Sequence, residues 1–224
     1  MKKILLVLLA AAPATSWSQL ITVGSLNNIQ YWTGSGTNRA ALVLQFGASA
    51  TPTSIAWGYR WNGSSATAAT MLFSLAGTIT GSSAPAPLLG ADPRLSVDVS
   101  FFSGFGGYFV NTISYNQSGL PAPWGQLTRN IKDDYFGDGT YPTLYSLNST
   151  GLWSSSFALA QVGMSQLLLT NGAWIGFVQS DGVADPLGFT QPVAAVPEPT
   201  SLALLGAGGA VAATIRFARR RKGA

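Results

Sequence analysis

Catalytic side chains are scarce in this chain of 224 residues, which has no histidine and no cysteine. The lack of histidine excludes a Ser-His-Asp triad, an imidazole base and a histidine metal ligand. The lack of cysteine excludes a disulfide framework, a thiolate nucleophile and a zinc–thiolate site. Carboxylates remain as the groups for acid–base chemistry, and Asp and Glu together number only 8. We therefore expect a protein that is not an enzyme and that needs no cofactor or metal.

The densest acidic stretch, residues 133–139, contains three aspartates and two glycines. Ca²⁺ prefers several oxygen ligands on a turning backbone, which such a stretch could provide. Counted from Asp134, however, the third position of an EF-hand-like loop is Phe136, and no Glu follows at the twelfth. A solvated turn is therefore the favoured interpretation.

Two pairs of aspartates could supply the two carboxylates of a glycoside hydrolase. The pairs are Asp133 with Asp138 and Asp92 with Asp98. The body has no Glu to add to them, since the one glutamate of the chain is Glu198. A carboxylate-dependent glycan hydrolase is thus the less favoured of two alternative functions.

Exposed aromatic rings could bind carbohydrate, because their faces stack on sugar rings. Trp57 and Trp61 alternate with small or polar residues, which is typical of a strand whose aromatic side is core. Trp32 and Trp124 lie in stretches rich in glycine or proline, where a loop could expose them. These four tryptophans are the candidate glycan-binding residues, and packing within the domain is the alternative for each.

Alternation of apolar and polar residues predicts β-strands with one buried and one wet face, as in an antiparallel sheet. Residues 54–61 and 95–101 alternate in this way, and the nearly continuous apolar run 41–46 indicates a central strand. Further candidate strands cover residues 108–115, 152–159 and 174–179.

Turn and helix signals separate these strands. The Asn-Gly pair at 171–172 predicts a type I′ hairpin. Apolar residues spaced i, i+3, i+4, i+7 predict a helix over 66–76, with Ser64 or Ser65 as its cap. Residues 78–87 are rich in Gly, Ser, Pro and Ala and are expected to form a loop. The prediction is a mainly β fold, a single antiparallel β-sandwich-like domain with one short helix; a compact sheet-plus-helix fold is the alternative.

The N-terminal residues have the parts of a secretory signal peptide. Two lysines follow Met1, and the apolar run 4–12 is too short for a bilayer-spanning helix of ~20 residues. Small residues then permit cleavage by signal peptidase after Ser18 or after Ala14. We expect the Sec translocon to export the chain and the mature protein to begin near Gln19; a retained N-terminal anchor is the alternative.

Residues 197–224 combine a proline-rich entry, an apolar run and a basic cluster. Pro197, Glu198 and Pro199 resist helix formation, because proline fixes φ and lacks an N–H donor. Residues 201–215 are uncharged and would span roughly 22 Å as a transmembrane helix at ~1.5 Å per residue. Basic residues stop transfer and stay cytoplasmic, and here they are Arg216, Arg219, Arg220, Arg221 and Lys222. The body is therefore expected on the far side of the inner membrane.

This order of Pro-Glu-Pro, apolar helix and Arg cluster in a chain with a signal peptide resembles the PEP-CTERM sorting domain. The matching residues are 196–200, 201–215 and 216–222. The resemblance implies recognition near Pro-Glu-Pro by an exosortase, a membrane-embedded cysteine protease-transpeptidase. It also implies a Gram-negative bacterium that makes exopolysaccharide or biofilm, so that exopolysaccharide is a candidate partner. An ordinary single-pass tail anchor is the alternative.

Part of the body resembles a recurring pattern in exported bacterial surface proteins. In that pattern a hydrophobic strand precedes Trp-Gly-Tyr-Arg-Trp/Phe-Asp-Gly and a short helix. The matching residues are 41–46, 56–63, 71–72 and 92–95, with Asn62 where the pattern has Asp. This resemblance implies no activity.

Charge separates a weakly acidic body from two basic ends. Between residues 19 and 196, five basic residues face seven aspartates (5 − 7 = −2), although the whole chain carries +4. A nucleic-acid-binding protein needs a basic surface to neutralise phosphates, so the composition excludes nucleic acid as a partner.

The predicted layout is a signal peptide (1–18), a β-rich extracytoplasmic domain (19–190), a linker (191–196) and a sorting and anchor segment (197–224). The expected function is that of a non-enzymatic envelope or extracellular-matrix protein. It would be anchored in the inner membrane with a periplasmic body and then processed for the surface or matrix. A carbohydrate-binding module that uses exposed aromatic residues is the main alternative.

Overall fold

The computed structural model describes residues 21–46, 53–116, 128–132, 141–147, 150–180 and 189–195. Within these ranges the chain forms eleven strands and one α-helix. The strands are β1 (Trp32–Gly34), β2 (Asn38–Phe46), β3 (Thr53–Trp61), β4 (Ala76–Gly81), β5 (Asp92–Phe102), β6 (Gly107–Asn116), β7 (Thr128–Lys132), β8 (Tyr141–Leu147), β9 (Ala158–Leu159), β10 (Trp174–Ser180) and β11 (Val193–Ala194). The helix is α1 (Ala68–Leu75), and single 3₁₀ turns cover Leu26–Asn28 and Ser103–Phe105.

The larger sheet has seven strands in the order β1-β3-β2-β10-β8-β9, with β11 also beside β3. The apolar strand β2 lies at its centre, as its composition predicts. β2 and β3 are antiparallel, as are β8 and β10, but β10 runs parallel to β2, and both β1 and β11 run parallel to β3. The expectation of an antiparallel fold is therefore wrong, because three pairings of this sheet are parallel and join strands that are not consecutive in the chain.

The smaller sheet has four strands in the order β4-β5-β6-β7 and packs on one face of the larger sheet. Tyr115 of β6 joins the two sheets: its ring lies edge-on to Trp57, with centroids 5.1 Å apart, and stacks against Phe46 at 6.4 Å. Met71 and Leu72 of α1 are fully buried in the same core. The mainly β prediction with one short helix is confirmed, and the two facing sheets fit the sandwich.

The opposite face of the larger sheet is buried as well, which corrects the expectation of one wet face. Ala56 on β3 and Trp174 on β10 lie in a second core, beneath Val23 from the N-terminal segment. On β3 the buried residues of this face are small, and Gly58 shows why. A Cβ atom on Gly58 would lie 2.3 Å from Cε3 of Trp32, so only glycine lets this ring lie against β3.

The two ends of the described body meet at the edge of β3. Thr22 forms an antiparallel bridge with Val193, and the Val23 N–H donates to the Pro192 carbonyl at 2.8 Å. Ala195 is buried, and its N–H donates to the Ala56 carbonyl. Val193 and Ala194, which lie within the predicted linker 191–196, therefore form a strand of the larger sheet.

Local hydrogen bonds explain three further differences from the predicted elements. α1 is capped by Thr67, whose hydroxyl accepts from the Thr70 N–H at 3.2 Å, and not by Ser64 or Ser65. Residues 76–81, the start of the expected loop, form β4 because they pair in parallel with β5. Of the candidate strand 152–159, only β9 is a strand.

The Asn-Gly pair at 171–172 forms a turn, but not a type I′ hairpin. Type I′ turns require positive φ at both central residues, and only Gly172 has it. The turn is fixed instead by Arg39 of β2: the Arg39 N–H donates to Asn171 Oδ1 at 3.0 Å, and the Gly172 N–H donates to the Arg39 carbonyl at 2.7 Å.

Candidate functional site

The sorting segment follows directly from β11, which brings the chain to the edge of the larger sheet at Ala195. The predicted motif residues Pro197, Glu198 and Pro199 and the basic cluster lie outside the described residues, as does the predicted helix over 201–215. In the part of the chain that the structure covers, no helix is long and apolar enough to cross a membrane.

Two of the predicted glycan-binding tryptophans are buried. Trp57 has no exposed surface, and its Nε1–H donates to Asp92 Oδ2 at 3.0 Å. Trp61 is 5% exposed and stacks on Tyr59 with ring centroids 5.7 Å apart. Neither ring can present a face to a sugar, so the predicted glycan-binding role of Trp57 and Trp61 is wrong. Their alternation with small or polar residues reflects burial in the core.

Trp32 is half-buried and already engaged. Its Nε1–H donates to the Ile29 carbonyl at 2.9 Å, its ring lies against Gly58, and the Arg60 guanidinium lies 4.8 Å from the ring centroid. These contacts make Trp32 a packing residue that joins β1 to β3. Trp124, the fourth candidate, lies outside the described residues.

Asp92 is the centre of a buried ion pair between the two sheets. It is fully buried and accepts from Trp57 and from the backbone N–H, Nε and an Nη of Arg94, at 3.0–3.2 Å. Arg94 is 8% exposed, and its guanidinium lies 5.3 Å from the centroid of the Tyr115 ring. Each charge is compensated by the other and by hydrogen bonds, as burial requires. This cluster fixes how the sheets face each other and has no room for a substrate.

Asp98 lies on the opposite, outer face of the smaller sheet. Arg94 and Leu95 are both buried, which breaks the alternation along β5 and separates Asp92 from Asp98. Two carboxylates on opposite faces cannot flank one glycosidic bond, so the proposed hydrolase pair of Asp92 and Asp98 is wrong. The other pair, Asp133 with Asp138, lies outside the described residues, as does the whole stretch 133–139.

Hydrogen bonds hold the Asp98 carboxylate in its charged form. Its oxygens accept from the Thr80 hydroxyl at 2.6 Å and from the Asn111 amide at 2.7 Å. These two donors, Thr80 first, lower the pKa of Asp98 below its usual 3.8. Because the folded pKa is the lower one, the stabilisation is complete above about pH 4 and is lost as the pH falls through the folded pKa. Asp98 is therefore an anionic hydrogen-bond acceptor on an open sheet face at neutral pH.

Three phenylalanines beside this network form an exposed cluster, here called the phenylalanine surface: Phe102, Phe105 and Phe109. Their side chains are 48%, 72% and 48% exposed. The ring centroid of Phe109 lies 5.1 Å from that of Phe102 and 5.7 Å from that of Phe105. Exposed apolar clusters with a polar border commonly mark binding surfaces.

The sequence interpretation missed this surface, although one signal was available. That signal is the glycine-rich stretch 104–107, because a glycine-rich turn can place flanking aromatic residues at the tip of a hairpin. Phe101 was expected on the buried side of its strand and is 40% exposed.

Across the described ranges, no three carboxylates cluster in a way that could hold a metal ion.

Asp92→Asn removes one charge of the buried pair and leaves the Arg94 guanidinium uncompensated. We expect the free energy of unfolding to fall by about 3 kcal/mol or more, since losing one partner of a buried ion pair is strongly destabilising. Asp98→Asn is the matched control, because this aspartate lies on the open face and its loss should cost far less. Urea unfolding at pH 7 measures both, and equal losses would contradict the structural role of Asp92.

Comparison with known proteins identifies the segment after the body. Residues 195–222 match a family model described as PEP-CTERM protein-sorting motif. No curated protein and no solved structure matches the chain. The matched range begins at Ala195, the residue that follows β11, and contains the predicted Pro-Glu-Pro and basic cluster. The C-terminal segment of the chain therefore carries a PEP-CTERM protein-sorting motif, as the sequence predicts, and this motif supports export of the chain and its processing by an exosortase.

Proposed function

We propose that this protein is a non-enzymatic component of the cell envelope or extracellular matrix, delivered there by exosortase processing. One observation carries the proposal: Ala195 is both buried in the β body and the first residue of the sorting motif. The body thus ends where the motif begins, with no intervening spacer. We expect this arrangement in a folded domain that is attached directly to its own sorting signal.

The positions of the two chain ends support the proposed route. Thr22 and Val193 are bridged, so the segments before and after the body leave it at the same edge. Sec export with cleavage after Ser18 would leave the body periplasmic, held in the inner membrane by the helix over 201–215. Exosortase processing at Pro-Glu-Pro would then pass the body to the surface or matrix.

Glu198→Ala tests the sorting step, because it removes the only charge of Pro-Glu-Pro without touching the described body. We expect the variant to accumulate at full length in the membrane fraction, while the wild-type protein is processed and released. Immunoblots of membrane, periplasm and medium from the native host measure this distribution. Thr200→Ala is the neighbouring control and should be processed normally. Release of the Glu198→Ala variant at the wild-type rate would overturn the proposal.

A second role, contact with polysaccharide, is favoured by the phenylalanine surface. Aromatic rings supply apolar faces for the C–H side of a sugar. The adjacent Asp98 carboxylate and the Ser100 hydroxyl can accept from sugar hydroxyls, and Asn111 positions both, since its amide donates to Asp98 at 2.7 Å and to Ser100 at 3.0 Å. A fixed negative charge here disfavours adsorption to anionic lipid. The chemistry therefore matches a neutral glycan chain.

Phe102→Ala combined with Phe105→Ala tests this role with little risk to the fold, because both side chains are largely exposed. We expect at least about a fivefold loss of binding to neutral polysaccharides on a glycan array, since a stacking contact of an aromatic ring is worth about 1 kcal/mol. Leu89→Ala is the control, because Leu89 is a fully exposed apolar residue that is not part of the phenylalanine surface. Unchanged glycan binding by the double variant, or binding only to lipid vesicles, would contradict the role.

A further inference from the structure

A cleft of about 330 Å³ lies at the start of β2, on the face of the larger sheet turned away from the smaller one. Its lining includes Arg39 from β2, Asn27 and Leu26 from the first 3₁₀ turn, and Asn171 and Leu152 from later loops. These residues are distant in sequence and meet because the N-terminal segment and the 171–172 turn both dock on β2. The volume lies in the range of small-molecule sites, roughly 300–1,000 Å³.

Arg39 brings a positive charge into this cleft that no carboxylate neutralises within the described parts of the chain. Its guanidinium is half-buried and donates from one Nη to Asn27 Oδ1 at 3.1 Å. Among the described residues, no other side chain or carbonyl accepts from the remaining donors of the guanidinium fork. An arginine fork of this kind matches a carboxylate, to which it can donate two parallel hydrogen bonds.

A second cation makes the local charge imbalance larger. Arg60 of β3 lies directly opposite Arg39 in the β2–β3 register. Like charges at directly opposed positions of an antiparallel pair destabilise a sheet. The charge of Arg60 is offset by the face of the Trp32 ring, which lies 4.8 Å from its guanidinium carbon, whereas within the described ranges the Arg39 guanidinium contacts the neutral Asn27 amide. An anion beside Arg39 would relieve this repulsion.

The other side chains of the cleft suit a hydroxylated ring. Asn27 and Asn171 use their amide oxygens to accept from Arg39, so the NH₂ group of each remains as a donor. Leu26 is buried and Leu152 is 62% exposed, which gives the cleft an apolar side for C–H groups. The fixed cation matches a carboxylate, the two amide donors match ring hydroxyl groups, and the apolar side matches the C–H face of the ring. Together they fit a polyhydroxylated ring that carries one carboxylate.

We propose that the cleft at Arg39 binds a uronic acid unit of an acidic polysaccharide, with the guanidinium holding the sugar carboxylate. Asn27 and Asn171 donate to ring hydroxyls or to the carboxylate, and Leu152 packs against the ring. The statement that this polysaccharide belongs to the surrounding matrix rests on the proposed function. Binding to the cleft itself depends only on the folded body and is measured separately from sorting.

Calorimetric titration of the full chain in neutral detergent with trigalacturonate tests the proposal, with maltotriose as the uncharged probe. We expect binding of trigalacturonate that weakens with added salt. Any binding of maltotriose, which the phenylalanine surface could provide, should be the same in Arg39→Gln as in the wild type. Arg39→Gln should weaken trigalacturonate binding by at least about tenfold, the loss expected for a charge-assisted bidentate contact. Arg60→Gln is the matched control on the neighbouring strand and should change the affinity by less than about threefold, a difference of ~0.6 kcal/mol.

Arg39→Lys keeps the charge without the planar fork and should give an intermediate loss, which separates a binding role from a folding defect. Circular dichroism confirms that each variant is folded before titration. Equal affinity of wild type and Arg39→Gln, or equal loss in Arg60→Gln, would overturn the assignment to Arg39. Displacement of trigalacturonate by equimolar inorganic phosphate would show an unselective anion site and would also contradict it. None of these outcomes alters the processing expected of Glu198→Ala.

Discussion

Burial of the larger sheet on both faces is the constraint on which the rest of the structure depends. A sheet covered on both sides must have small residues wherever a second layer approaches, and Gly58 beneath Trp32 meets that need. One layer is the smaller sheet with α1, and the other includes the first described residues around Val23. The closing strand β11 lies beside β3 and bonds to that N-terminal segment. The first and last segments of the described body thus bond to each other, and the matched sorting motif starts at the residue after β11.

The sequence predicted the strands better than their pairing. The apolar run 41–46 and the alternating runs 54–61 and 95–101 are all in strands, because hydrophobic periodicity is a local property. Parallel pairing of β10 with β2 joins residues more than a hundred positions apart, and no local pattern encodes it. Small residues such as Ala56 were assigned to a wet face, since alternation cannot distinguish a side chain facing water from one facing a second layer.

The candidate sites show the same division between local and non-local information. Pro-Glu-Pro with its apolar run and basic cluster is a contiguous signal, and the family comparison confirms it. The body sites depend on three-dimensional placement: Trp57 is in the core because two sheets meet there, and the phenylalanine surface is exposed because β5 and β6 extend beyond the core. The cleft at Arg39 combines residues from positions 25 to 172, so no local motif of the sequence encodes it.

A pair of truncated chains tests most directly whether the folded body includes the residues up to 195. A chain that stops after Val196 keeps β11, whereas one that stops after Thr190 loses β11, the buried Ala195 and the Val23–Pro192 hydrogen bond. Urea unfolding should give the longer chain the same midpoint as the full protein. The shorter chain should lose at least about 2 kcal/mol, since several hydrogen bonds of ~1 kcal/mol each disappear. Equal midpoints for both truncations would contradict closure at this residue.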